Sequence, residues 1–161
     1  MKKVYIYIFL IITITFNFSC EELDEASLVD SPEIVSIAYG TSFGECQGYC
    51  DKRIEIKGTE LNFKAAGWYN GTKLPDINLT STLELEEWEK LINKIDFVIF
   101  RNLEEVIGCP DCTDGGAEWI EITTNNLIHR VTFEFNNKPE EVQDYIDELI
   151  NIMAEFEVNS N

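Results

Sequence analysis

The stretch Arg53-Ile54-Glu55-Ile56-Lys57-Gly58-Thr59-Glu60-Leu61-Asn62-Phe63-Lys64-Ala65 alternates apolar and polar side chains on both sides of Gly58-Thr59. Successive side chains of a strand point to opposite faces, so each arm has one buried and one wet face. Gly58 accepts the positive φ that a tight turn demands at its first position, which predicts an antiparallel hairpin.

Working outward, Ile34, Val35, Ile37 and Tyr39 predict a preceding strand, and Gly40 to Cys50 an ordered loop. After the hairpin, residues 66–81 contain Gly67, Asn70, Gly71, Pro75 and Asp76 and read as a long loop, with Trp68 and Tyr69 folded back as a lid. Trp88, Leu91, Ile92 and Ile95 recur at helical spacing, which predicts an amphipathic helix over 83–95 capped by Ser81 and Thr82. Phe97 to Leu103 is apolar without a clear period and reads as an irregular buried segment.

Two more strands follow, Trp119 to Thr123 and a second with Leu127, His129, Val131, Phe133 and Phe135 on one face, turning at Asn125-Asn126. Pro139 suits a first helical position, and Val142, Tyr145, Ile146, Leu149, Ile150 and Met153 form the stripe of a final helix. The order β-β-β-α-β-β-α predicts an α+β fold, an antiparallel sheet with two amphipathic helices packed on one face.

The N-terminus reads as an address. Lys2 and Lys3 precede an apolar run from Val4 to Phe16 that matches an export signal and is short for a permanent membrane span. Asn17-Phe18-Ser19-Cys20 resembles a lipoprotein processing box, with Asn17 where the usual box has Leu. The expected organisation is a signal peptide over 1–19, lipidated Cys20 with an acidic flexible tether over 20–33, one α+β domain over 34–157, and a disordered tail over 158–161. Ordinary cleavage near Ser19 is the alternative. The acidic cluster Glu21, Glu22, Asp24 and Glu25 resembles a surface-export signal or is simply a solvated tether; the expected location is the outer membrane or cell surface, with the membrane engaged through the N-terminal lipid.

Thirty Asp and Glu against twelve Lys and Arg give a formal net charge of −18, and two of the lysines lie in the leader. Such a surface repels phosphate backbones and anionic lipid heads, which excludes nucleic acid as an expected partner and favours cations and basic partners.

Five cysteines are odd in number, and assigning Cys20 to lipid leaves Cys46, Cys50, Cys109 and Cys112. An extracytoplasmic compartment favours disulfides over a four-thiolate zinc site. A redox pair at Cys109-Pro110-Asp111-Cys112 is the third reading, opposed by nearby carboxylates and by the strand expected after Gly115-Gly116. Pairing within each motif closes loops worth about 2 kcal/mol apiece, whereas crossed pairing closes loops of roughly 60 residues worth about 4 kcal/mol, so chain entropy favours the crossed pairs.

Asp111, Asp114 and Glu118 surround Gly115-Gly116 and offer hard oxygen ligands to Ca²⁺, without the EF-hand spacing. His129, the single histidine, reads as a core or edge residue. No serine nucleophile motif, phosphate loop or paired histidine ligands are present.

From Ile34 to Phe156 the chain resembles an uncharacterised domain family of Bacteroidota lipoproteins marked by C-x-G-x-C-P before an amphipathic hairpin. The matching residues are Cys46, Gly48 and Cys50, the hairpin from Arg53 to Ala65, the helix around Trp88, and Asp114-Gly115 before a late strand. Asp51 stands where the family has proline. The resemblance implies the fold, the envelope location and pairing of Cys46 with Cys50, and it carries no activity. The expected function is a non-enzymatic envelope lipoprotein that binds a protein or glycan partner through Phe43, Tyr49, Trp68 and Tyr69, without a cofactor. The alternative is a thiol-redox or metal-thiolate protein using Cys109 and Cys112.

Overall fold

The computed structural model describes residues 32–159, with side chains through Phe156. The expected signal peptide, Cys20 and all but the end of the expected tether lie outside the described residues. Eight strands and three α-helices follow in order: β1 (Ile34–Ser42), β2 (Gly48–Lys57), β3 (Glu60–Tyr69), β4 (Thr72–Lys73), β5 (Ile77–Thr82), α1 (Leu85–Lys94), α2 (Phe97–Phe100), β6 (Val106–Ile107), β7 (Ala117–Thr124), β8 (Ile128–Glu134) and α3 (Gln143–Asn159). The fold is α+β, as expected. Its sheet runs β4-β3-β2-β1-β7-β8-β6, with β5 sharing the outer edge of β3; all pairs are antiparallel except β6 with β8.

The hairpin forms as read, with Gly58 at φ +58 and Ile54 facing Phe63. Register then lines up the buried face in rows. Leu61, Ile56, Ile37, Ile122 and His129 form one row, and Phe63, Ile54, Tyr39, Ile120 and Val131 the next. The helices cover these rows: Phe156 of α3 stacks on Phe63 at 5.3 Å, and Trp88, Leu91, Phe100, Ile146 and Leu149 complete one core. Each fully buried large apolar side chain stabilises by roughly 1.5–3 kcal/mol, so these rows dominate the fold's stability. No helix among the described residues is long and apolar enough to cross a membrane.

Four expectations need correction. Residues 66–81 are not a loop with an aromatic lid: β3 continues to Tyr69, turns through Asn70 (φ 48) and Gly71 (φ 75) into β4, and β5 then returns along β3 from Ile77. Asn-Gly takes the two positive φ values of a two-residue hairpin turn, which the flanking glycine and proline masked. Ser81 and Thr82 are consequently strand residues opposite Leu61 and Glu60, and the cap of α1 is Glu84, in a reciprocal capping box with Glu87. Phe97 to Phe100 is a short helix, because Asp96 accepts hydrogen bonds from the Val98 and Ile99 amides. α3 continues to Asn159, past the start of the expected tail, and begins after a single 3-10 turn over Glu140–Val142 that follows Pro139.

Candidate functional site

The rows of the buried face turn polar at one end of the sheet. Beyond Tyr39 the next row reads Ala65, Lys52, Thr41, Glu118 and Phe133. Strand alternation from Ala117 sends Glu118 under α3, where it is 1 % exposed. Its Oε2 accepts 2.8 Å from the Tyr39 hydroxyl and its Oε1 accepts 2.9 Å from the backbone N–H of Asn136. A buried carboxylate without donors is costly, and these two meet that need.

Two loops close over this end. Phe43, just past β1, meets Phe135 edge to face at 4.7 Å, and its ring occupies the space that a Cβ at Gly116 would need. Gly116 also sits at φ +82, so glycine is required there twice over. The Asp111 carboxylate lies against Gly44, which brings the loop of Cys46 and Cys50 into contact with that of Cys109 and Cys112.

The cysteines pair locally, Cys46 with Cys50 (Cα–Cα 6.0 Å) and Cys109 with Cys112 (Cα–Cα 5.5 Å). The crossed pairing favoured by chain entropy is therefore not adopted. Loop entropy counts only the unfolded chain, whereas native geometry decides which sulfurs meet. At the first pair Gly48, at φ +110, and a bulge between Tyr49 and Asp51 turn the chain back on itself. At the second, the Cys109 amide donates 2.8 Å to Glu134 and the Cys112 amide 3.1 Å to the Cys109 carbonyl.

Between the loop of Cys46 and Cys50 and α3 lies a cleft of about 540 Å³, walled by Phe43, Tyr49, Phe135, Ile150 and Met153 with the Cys46–Cys50 pair at its edge and Glu118 and Tyr39 on its floor. The Tyr49 hydroxyl donates 3.0 Å to the Pro75 carbonyl, so its ring is a fixed wall. The lining is mainly apolar with a few oriented polar groups, the composition of sites that take an apolar group and set its orientation.

Of the four aromatic residues expected to bind a partner, the structure brings Phe43 and Tyr49 to this cleft. Trp68, opposite Gly48 on β2, and Tyr69 instead stand exposed at the end of β3, and neither lines the cleft. Asp111, Asp114 and Glu118 are not assembled for calcium, since the first two are exposed in the loop and the third is buried under α3. Among the described residues no group of three or more His, Cys, Asp or Glu is placed to hold a metal ion. His129 packs edge to face on Phe100 at 5.2 Å, a core position. The sequence reading missed Phe135, Ile150 and Met153 as cleft residues; the α3 stripe flagged the last two only as core. No family model and no curated protein matches the chain.

Proposed function

We propose that the chain is a non-enzymatic envelope lipoprotein, anchored at the outer membrane or cell surface through lipid on Cys20, whose domain holds a protein partner at the cleft between the loop of Cys46 and Cys50 and α3. The observation that carries the reading is the cleft itself: a mainly apolar pocket whose walls are held by the Cys46–Cys50 pair, by Phe43 on Gly116 and by Tyr49 on Pro75. A preset pocket lowers the ordering cost of binding, and aromatic walls of this kind are where interface energy concentrates. Both oxygens of Glu118 accept hydrogen bonds from the protein itself, which favours a scaffolding role for this carboxylate over acid-base work. The resemblance to the Bacteroidota lipoprotein domains and the acidic residues after Cys20 support the location.

The test uses the full chain in its bacterial envelope. Incorporation of labelled palmitate is expected in the native protein and lost in Cys20→Ser. A photo-crosslinking residue at Tyr49 is expected to give a discrete adduct that the same residue at Leu127 does not give, and that disappears when Ile150 on the opposite wall is changed to Glu. Palmitate labelling that persists in Cys20→Ser removes the anchor assignment. Equal adducts from both positions remove the cleft assignment.

A further inference from the structure

The sheet face turned away from the helices carries a second cleft, and one cross-strand row builds it. Register sets Asn78, Lys64, Arg53, Gly40, Trp119 and Thr132 side by side across β5, β3, β2, β1, β7 and β8. Gly40 is the gap in this row. A Cβ there would run into the six-membered ring of Trp119, so the indole reaches over β1. From the β8 side the Arg130 guanidinium stacks on the ring, 4.1 Å from its centroid, and is itself fixed by Glu121 at 2.9 Å. From the β2 and β3 side the cleft opens, about 290 Å³, with Asp51, Arg53, Lys64, Ala66 and Asn78 around it. Two residues beyond Ala66, on the same face of β3, Trp68 is 54 % exposed.

Charge decides what fits. Arg53 and Lys64 lie directly opposite one another, an arrangement that disfavours a cationic ligand and is itself destabilising. Glu55 takes up Arg53, while Asp51 and Asp76 bring acidic oxygens to the same cleft. The chain's charge of −18 opposes the approach of a polyanion. A purely apolar ligand would cover Asp51, Lys64 and Asn78 without offering them a hydrogen bond, whereas Arg53 and Asp76 are already paired with Glu55 and Lys73. The remaining class is an uncharged ligand that has an apolar flank for an indole and a rim of hydroxyls able to donate and accept hydrogen bonds, which describes a sugar ring.

We infer that this face binds a neutral saccharide chain, with one ring against Trp119, its hydroxyls reaching Asp51, Arg53, Lys64 and Asn78, and a neighbouring ring against Trp68. At about 290 Å³ the cleft falls just under the usual range of ligand pockets, roughly 300–1,000 Å³, and suits a single ring held in a groove that the rest of the chain crosses. The site is on the opposite face from the cleft of Phe43 and Tyr49, so it stands or falls separately from the proposed function.

The full chain, purified from whole-cell extract, is titrated calorimetrically with cellohexaose, maltohexaose, mannohexaose and polygalacturonate. At least one neutral hexasaccharide is expected to bind at submillimolar concentration, and polygalacturonate is not. Trp119→Ala removes the main platform. Because that change risks the fold, two surface variants carry the decision: Trp68→Ala and the pair Lys64→Ala with Asn78→Ala each weaken binding about tenfold, a loss of about 1.4 kcal/mol, while Phe43→Ala leaves it unchanged. The inference is overturned if none of the three neutral hexasaccharides binds at millimolar concentration, if affinity survives in both surface variants, or if polygalacturonate binds more tightly than they do.

Discussion

The phenol of Tyr39 donates a 2.8 Å hydrogen bond to Glu118 Oε2, tying β1 to β7 beneath α3, while Asn136 secures the other oxygen from the loop after β8. One carboxylate thereby fixes the floor of the cleft and the path of the chain into α3. Hydrogen bonds to charged groups contribute about 1.5–3 kcal/mol, so Tyr39→Phe is expected to lower the unfolding free energy by about that amount. Glu118→Ala should cost more, since it withdraws the acceptor of both donors. Urea denaturation of the two variants measures the difference, and equal stabilities to the native protein would refute the latch.

Local cysteine pairs predict a modest covalent contribution. Each closes a loop of only a few residues, worth about 2 kcal/mol or less, and the main apolar rows lie elsewhere. Cys109→Ser with Cys112→Ser should leave a cooperatively folded domain with a melting temperature only a few degrees lower. Mass spectrometry of the exported protein should show alkylation of the four cysteines only after reduction, and digestion should release two peptides each bridged within its own motif.

Lys94 and Lys90 of α1 both donate to Glu148 of α3. The hydrogen bond from Lys94 is the first cause holding the Glu148 carboxyl below the usual carboxylate range; partial desolvation works against it. A folded pKa below the unfolded one stabilises above the ordinary carboxylate range, and that stability is lost as pH falls through the lowered value. Glu148→Gln should therefore be less stable than the native protein by about 0.5–1 kcal/mol near neutrality, and the gap should close in strong acid. A gap that persists unchanged across pH would show that packing, not the ion pair, is responsible.

Tyr145 offers the opposite sign. Its hydroxyl is buried without a hydrogen-bond partner among the described residues, and burial, followed by the neighbouring Glu148 carboxylate, pushes the phenol's pKa above its ordinary value. Removing an unsatisfied buried hydroxyl while keeping the ring stabilises by about 1 kcal/mol, so Tyr145→Phe should raise the melting temperature.

Gly116 joins the two loops at one atom. A methyl group there would enter the Phe43 ring at a backbone angle that side chains rarely adopt. Gly116→Ala is expected to cost at least about 1–3 kcal/mol and to alter the near-ultraviolet dichroism of the Phe43–Phe135 pair. Gly58→Ala, at a positive φ in open space, should cost less, and the order of the two variants is the check.

Periodicity made the main elements legible. Ile54 to Phe63 and Tyr145 to Met153 repeat at strand and helix spacing, and the α+β order follows from them. Ile77 to Thr82 was not legible, because its face away from the core is mostly threonine and asparagine and its pairing with β3 depends on a turn at Asn70-Gly71 read as part of a loop. The cleft was half legible: Phe43 and Tyr49 stand out as aromatics beside a cysteine motif, but Phe135, Ile150 and Met153 reach it only through the β8-to-α3 crossing. Trp119 carried no signal of its own. Its role depends on Gly40, a residue far away in sequence that becomes its neighbour when β1 pairs with β7.

That same pairing sets a timetable for the nascent chain. β1 can zip onto β2 and β3 as soon as they emerge, but its other edge stays open until Ala117–Thr124 arrives, and the core closes only after α3. Non-local closure of this kind is slow and leaves an adhesive strand edge exposed in every shorter intermediate.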